Sequence, residues 1–222
     1  MLYQRAPDGA IACPPTAVGQ LDLFDASAPG TIAARGVVTL PAGGPPLVDY
    51  TITHNVADAQ GSMSATGFVN DGAERLDFHV TAAPGSGSHT TISTLQVDDS
   101  AADVHAVLQH SAAMGVDTYS EDLDLVVQYA VGSAELKGSQ GWSNTFRSWD
   151  QIVSIDDVPF AKVGGVLVSD TEEPSISPVA DRPFFTGAER QILLNFVGAP
   201  DWIRAGLAAV LGAGSRLVSV AP

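Results

Sequence analysis

The sequence predicts an α+β chain that is mainly antiparallel β, a sandwich or barrel-like sheet with one central helix and a C-terminal helical pair. Three observations carry this prediction. Residues 47–56 alternate, with Val48, Tyr50, Ile52, His54 and Val56 on one side and Asp49, Thr51, Thr53 and Asn55 on the other, the period of a half-buried strand. Asn70-Asp71-Gly72 separates two more alternating runs, 62–69 and 75–82, and Asp-Gly between such runs signals a hairpin. Thr186-Gly187-Ala188-Glu189 is a capping box that opens a helix.

From the N-terminus, residues 1–34 show no periodicity and are broken by Pro7, Pro14, Pro15 and Pro29, so they read as an extended arm, with a neighbouring subunit as the candidate to hold it down. Residues 35–168 read as the β-rich core, with further strands near 36–40, 90–97, 123–131, 152–155 and 163–168. Within it, Asp99 or Ser100 can cap a helix running through Met114, with Val104, Val107, Leu108, Ser111 and Ala112 as its buried stripe. Residues 183–222 form the C-terminal helical segment. Its first helix presents Ile192, Leu193, Phe196 and Val197; a second starts at Asp201 behind Pro200 and presents Ile203, Leu207, Val210 and Leu211. Residues 216–220 can add a last strand. The whole reads as a single domain, 1–222, with a core large enough for its 222 residues.

Charge narrows the function. Ten Lys and Arg stand against 25 Asp and Glu, a formal charge of −15. Positions 76–136 contain no lysine or arginine at all. Affinity for nucleic acid is built from cations that displace counterions, so specific nucleic-acid grip is not expected, nor is attachment to anionic membranes. Cys13 is alone, which leaves no internal disulfide and no cysteine metal cage. With no apolar leader or membrane-length apolar run, cytoplasmic synthesis of a soluble chain is the expectation. Nucleotide-loop, nucleophile-elbow and zinc-protease motifs are missing, and no cofactor is expected.

Three groups of residues are candidates for chemistry. His54 falls on the apolar side of its strand, where an imidazole must find a partner or line a cavity; Tyr50 and Tyr129, also inward by alternation, would accompany it as catalytic residues. Trp142, Phe146 and Trp149 recur at i, i+4, i+7, and on a short helix they would form an aromatic ridge for ligand binding. Asp117, Glu121, Asp122 and Asp124 crowd one segment as a weak calcium candidate, without the spacing of an EF-hand loop. His105 and His110, five apart on the expected central helix, point about 140° apart and do not form a metal pair.

Two functions fit this pattern. The first is a non-catalytic structural subunit of a multimeric assembly, such as a phage-like or virion particle, with partners that are copies of itself or neighbouring subunits. The second is a β-barrel or sandwich that binds a small molecule, or a cyclase- or isomerase-like enzyme, with a pocket near His54.

Overall fold

A computed structural model of the chain describes residues 2–3, 17–41, 43–57, 61–70, 72, 74–85, 90–167, 173–179 and 184–219. Its strands are β1 (Leu2–Tyr3), β2 (Ala17–Asp25), β3 (Thr31–Thr39), β4 (Pro46–Asn55), β5 (Met63–Asn70), β6 (Arg75–Pro84), β7 (Thr90–Asp99), β8 (Val104–Met114), β9 (Thr118–Tyr129), β10 (Gly132–Ser143), β11 (Arg147–Ile155), β12 (Val158–Leu167) and β13 (Ser175–Pro178). Among the described residues one helix, α1 (Gly187–Ser219), follows. Each strand pairs antiparallel with the next, so spatial order equals sequence order from β1 to β13. This is an up-and-down meander, the topology that short connections between successive strands produce.

Side-chain alternation makes the sheet two-faced. One register row runs Ile52, Ala65, Val80, Leu95, Leu108, Leu125, Leu136, Val153, Ala161 across β4–β12. All of these face α1, and Leu108, Leu125, Leu136 and Ala161 have no exposed surface. The adjacent row on the other face reads Thr53, Ser64, Thr81, Thr94, Gln109, Asp124, Lys137, Ile152, Lys162, almost entirely polar. Ion pairs lie there too, Arg35–Asp49 at 2.6 Å and Arg75–Asp77 at 2.7 Å. Charges and hydroxyls in such a band suit water and not lipid. Among the described residues no helix is long and apolar enough to cross a membrane.

The helix covers the apolar face obliquely. Leu193, Phe196, Val197, Ile203 and Leu207 pack on the cluster formed by β7–β12, while Leu207, Val210 and Leu211 reach the cluster of Ala34, Val48, Tyr50, Ile52, Ala65 and Phe78 on β3–β6. Leu207 thus joins the two halves of the core. The capping box is present: Thr186 Oγ1 accepts from the Glu189 amide at 3.3 Å, and Glu189 Oε2 accepts from the Thr186 amide at 2.8 Å. The hairpin at Asn70–Arg75 is also present, with Asn70 Oδ1 accepting from the Gly72 amide and Gly72 at φ 96°.

Several sequence expectations are corrected. Residues 104–114 are strand β8 and not a central helix. Val104, Ala106, Leu108, His110 and Ala112 fit a two-residue period as well as Val104, Val107, Leu108, Ser111 and Ala112 fit a helical one. Pairing with β7 on one side and β9 on the other decides between them. The capping signal at Asp99 is a turn signal: its Oδ1 accepts from the amides of Ala101 and Ala102, and Asp103 adopts φ 52°. The C-terminal pair is one helix, which also includes the expected strand from residue 216 as far as Ser219. Pro200 deletes the bond to the Phe196 carbonyl, a cost of about 3 kcal/mol in a helix interior. Yet Pro200 is fully buried and apolar residues on both sides of it pack on one sheet, so packing keeps the helix continuous. From Ala17 onward the expected arm is β2 and the start of β3, paired from Gln20↔Thr39 to Asp25↔Ala34. Residues 4–16 lie outside the described residues. Finally, Trp142 and Trp149 sit on two strands of a hairpin and not on a short helix.

Two glycines set the packing around Tyr50, which is 2% exposed. A Cβ on Gly36 would fall 2.4 Å from Tyr50 Cζ, and one on Gly67 would fall 2.3 Å from the Asp49 carbonyl oxygen. The tyrosine ring therefore occupies the space in front of Gly36. Gly36→Ala and Gly67→Ala should each lower stability by roughly 1–3 kcal/mol, with Gly67→Ala the worse because its obstacle is backbone. Urea unfolding of both variants checks the order.

Candidate functional site

Alternation that buries leucines elsewhere buries polar groups near one rim of the sheet. On β8–β11 the helix-facing positions there are His110, Glu121, Gln140, Trp149 and Gln151. Glu121 is 2% exposed and Gln151 1% exposed. An ionised carboxylate at that depth needs a charge partner and filled lone pairs. Arg204, on the sheet-facing side of α1, supplies the charge, with Nη1 donating to Oε1 at 2.6 Å and to Oε2 at 2.8 Å. The Tyr119 hydroxyl donates to Oε2, and Gln140 Nε2 donates to Oε1 at 3.3 Å. Gln151 Nε2 reaches Gln140 Oε1 at 3.4 Å, while Arg204 Nη2 donates to Asp201 Oδ1 at 2.5 Å.

The electrostatics follow from this burial. Desolvation, with the bond to Glu121 second, raises the Tyr119 phenol well above its ordinary range. Beside this network, Ser93 Oγ shares a hydrogen bond with His110 Nε2. Burial pushes the His110 imidazole below its usual value; Glu121 opposes that shift and Arg204 adds to it.

The network backs a pocket of ≈ 290 Å³ lined by Gln140, Gly141, Trp142, Arg147, Ser148, Trp149 and Asp201. The β10–β11 hairpin builds its sheet side. Register sets Trp142 opposite Arg147 and Gln140 opposite Trp149, so all four point toward the helix. The connecting turn is closed by the Ser143 amide donating to the Phe146 carbonyl at 2.8 Å. Tyr119 stacks on Trp142 with ring centroids 3.8 Å apart, covering one indole face, and Trp142 is still 41% exposed. Asp201 closes the pocket from α1. One of its oxygens holds Arg204, and its side chain is 68% exposed.

No protein-family model, curated protein or solved structure matches this chain. A larger groove, ≈ 590 Å³, opens on the opposite face, with Ser111, Asp122, Asp124 and Lys137 among its walls. It contains no tryptophan, tyrosine or phenylalanine, and Lys137 Nζ already neutralises Asp124 at 2.6 Å. The smaller pocket has the aromatic walls and convergent polar groups of a ligand site.

The residues singled out in the sequence are distributed as follows. Trp142 and Trp149 come together at the pocket, while Phe146 lies in the adjoining turn, 43% exposed. Tyr50 and His54 share the helix-facing side of β4 but stand in different register rows, with Tyr50 packed in the core and His54 at the strand end beside Gly61. Tyr129, at the far end of β9, is 39% exposed and is brought to neither. The four carboxylates are split by the pleat: Glu121 turns toward Arg204, Asp122 and Asp124 turn to the other face, and Asp117 accepts from Asn144 in the turn region. Among the described residues no cluster of three potential metal ligands forms. His105 pairs with Asp98 on one face and His110 with Ser93 on the other, so their odd spacing separates them on a strand as it would on a helix.

Gln140, Gln151, Asp201 and Arg204 were missed by sequence reasoning. The available signal was Arg204 set between Ile203 and Leu207 in the helix's buried stripe, which requires a buried anion opposite. Glu121→Gln should destabilise the fold by about 3–5 kcal/mol by leaving Arg204 uncompensated, and Glu121→Leu with Arg204→Met should recover much of that loss. Urea midpoints of the three proteins check this. A second outcome concerns pH. Because the folded-state pKa of His110 is depressed, the unfolded chain takes up its proton first, and stability is lost as pH falls below about 6.5. His110→Gln should flatten that part of the stability profile relative to the parent chain.

Proposed function

We propose that this chain is a small-molecule-binding protein whose site is the pocket between the β10–β11 hairpin and the middle of α1. The observation that supports it most directly is the convergence of Trp142, Trp149, Gln140 and Asp201 on one cavity, backed by side chains that are already fixed. Binding sites gain affinity when their walls are ordered before the ligand arrives. Here Tyr119 holds Trp142 from behind, and Glu121 holds both Gln140 and the arginine that steadies Asp201.

Binding is favoured over turnover by the state of Glu121. A general acid or base needs a lone pair or proton to exchange with substrate. Both Glu121 oxygens accept two hydrogen bonds, from Arg204 and either Gln140 or Tyr119. A carboxylate held so is a strut.

A second reading, a structural subunit of a multimeric assembly, is favoured by the outer side of α1. Ile192 is 67% and Trp202 62% exposed, Phe184 just before the helix is 94% exposed, and Ala205, Gly206, Ala208 and Ala209 are exposed as well. Between Trp202 and Gly212 the one charged side chain is Arg204, which turns inward to Glu121. On a chain of formal charge −15, two copies can approach at such a face without opposing carboxylates.

Two measurements separate the readings. A thermal-shift screen of small molecules should yield ligands that stabilise the parent chain and fail to stabilise Trp142→Ala, since a ligand raises stability only through the site it fills. If every hit acts equally on both proteins, the pocket is not the site. For the assembly reading, light scattering should give a mass above one chain that drops on Trp202→Asp; a monomer unaffected by that change rules it out.

A further inference from the structure

We infer that the pocket takes a neutral pyranose ring, a monosaccharide or the end of a glycan, an assignment that rests on the ligand-binding reading above. Charge, shape and chemistry each point to this class. The pocket region carries two guanidinium groups, Arg147 in the wall and Arg204 behind it, and two carboxylates, Asp201 in the wall and Glu121 behind it. Local charge is balanced even though the chain is strongly acidic, so neither a cation nor an anion gains from entering. A neutral ligand suits such a site.

The volume of ≈ 290 Å³ lies at the lower end of the range for small-molecule sites and holds one ring. Tyr119 stacks on Trp142, which remains 41% exposed and lines the cavity, and Trp149 adds a second aromatic wall from the neighbouring strand. An aromatic face next to fixed hydrogen-bonding groups accommodates a ring with both apolar C–H surface and a rim of hydroxyls. Asp201 meets the second requirement. With Oδ1 held by Arg204 Nη2, the carboxylate is oriented, and its exposed side chain can accept from a ligand hydroxyl. Ser148, between Arg147 and Trp149 on β11, also lines the cavity. An uncharged aromatic ligand would use the indole walls but make no hydrogen bond to the carboxylate that Arg204 orients, so it would use less of the site than a ring bearing hydroxyls.

The experiment titrates the full chain with methyl pyranosides of the common hexoses and an N-acetylhexosamine, reading tryptophan fluorescence and ligand saturation-transfer NMR. Quaternary ammonium and inorganic phosphate serve as charged probes, and benzyl alcohol as a neutral aromatic one. At least one pyranoside should bind, with affinity lowered about tenfold or more in Trp142→Ala and in Trp149→Ala, and lowered to a smaller extent in Asp201→Asn. Trp142→Phe, which keeps a ring against Tyr119, should retain part of the affinity and controls for folding. Tighter binding of a charged probe or of benzyl alcohol, lost in Trp142→Ala, would overturn the sugar assignment and leave the pocket standing. Pyranoside binding that survives both tryptophan variants would place the sugar elsewhere and overturn it too. If no probe of any class binds, the assignment and the binding reading fall together.

Discussion

Docking of α1 across the apolar face of the meander is the contact on which the rest of the structure depends. A single antiparallel sheet has one face that can be left to water and one that cannot, and this sheet's apolar face extends from β3 to β12. No second sheet lies over it among the described residues, so the helix supplies the second layer. This explains why α1 runs through Pro200 unbroken. A break there would strand either Leu193 and Phe196 or Leu207 and Leu211 away from their cluster, and each loss would exceed the cost of one missing backbone bond.

Apolar contact alone would leave the position of the helix along the sheet loosely defined, since many rows of leucine and valine are equivalent to it. The Glu121–Arg204 pair removes that freedom. A buried ion pair adds little net stability compared with apolar residues of the same volume, but a shift of one helical turn would leave both charges uncompensated in the interior. With Arg204 fixed, Asp201 one turn earlier is brought to the β10–β11 rim, and the pocket closes. The same interaction that registers the helix also builds the site, which is why the acidic stretch between Arg75 and Lys137 matters: Glu121 is the member of it that turns inward.

The strands that were legible in the sequence were those with strict alternation and clear punctuation. β4, β5 and β6 follow directly from their patterns and from Asn70-Asp71-Gly72, and the start of α1 follows from Thr186 and Glu189. β8 was illegible because its apolar residues satisfy both periods at once, and its capping-type Asp99 serves a turn as well as a helix. Trp142 and Trp149 were found as a pair through the wrong local geometry. Seven residues span two helical turns, but they also bridge a hairpin in which Trp142 opposes Arg147 and Gln140 opposes Trp149, and both arrangements bring the rings to one side.

By itself the sequence determined the two-faced character of β4, β5 and β6, the hairpin at Asn70–Arg75, the start of the C-terminal helix, and the acidic balance of the chain. These depend on neighbours a few residues apart, whose spacing is written in the chain. Tertiary structure alone decided that the thirteen strands among the described residues form one sheet, that the helix passes through its proline, and that Glu121 and Arg204, 83 positions apart, meet. Such pairings depend on long-range packing and on the cost of an unpaired buried charge, and neither leaves a local period in the sequence.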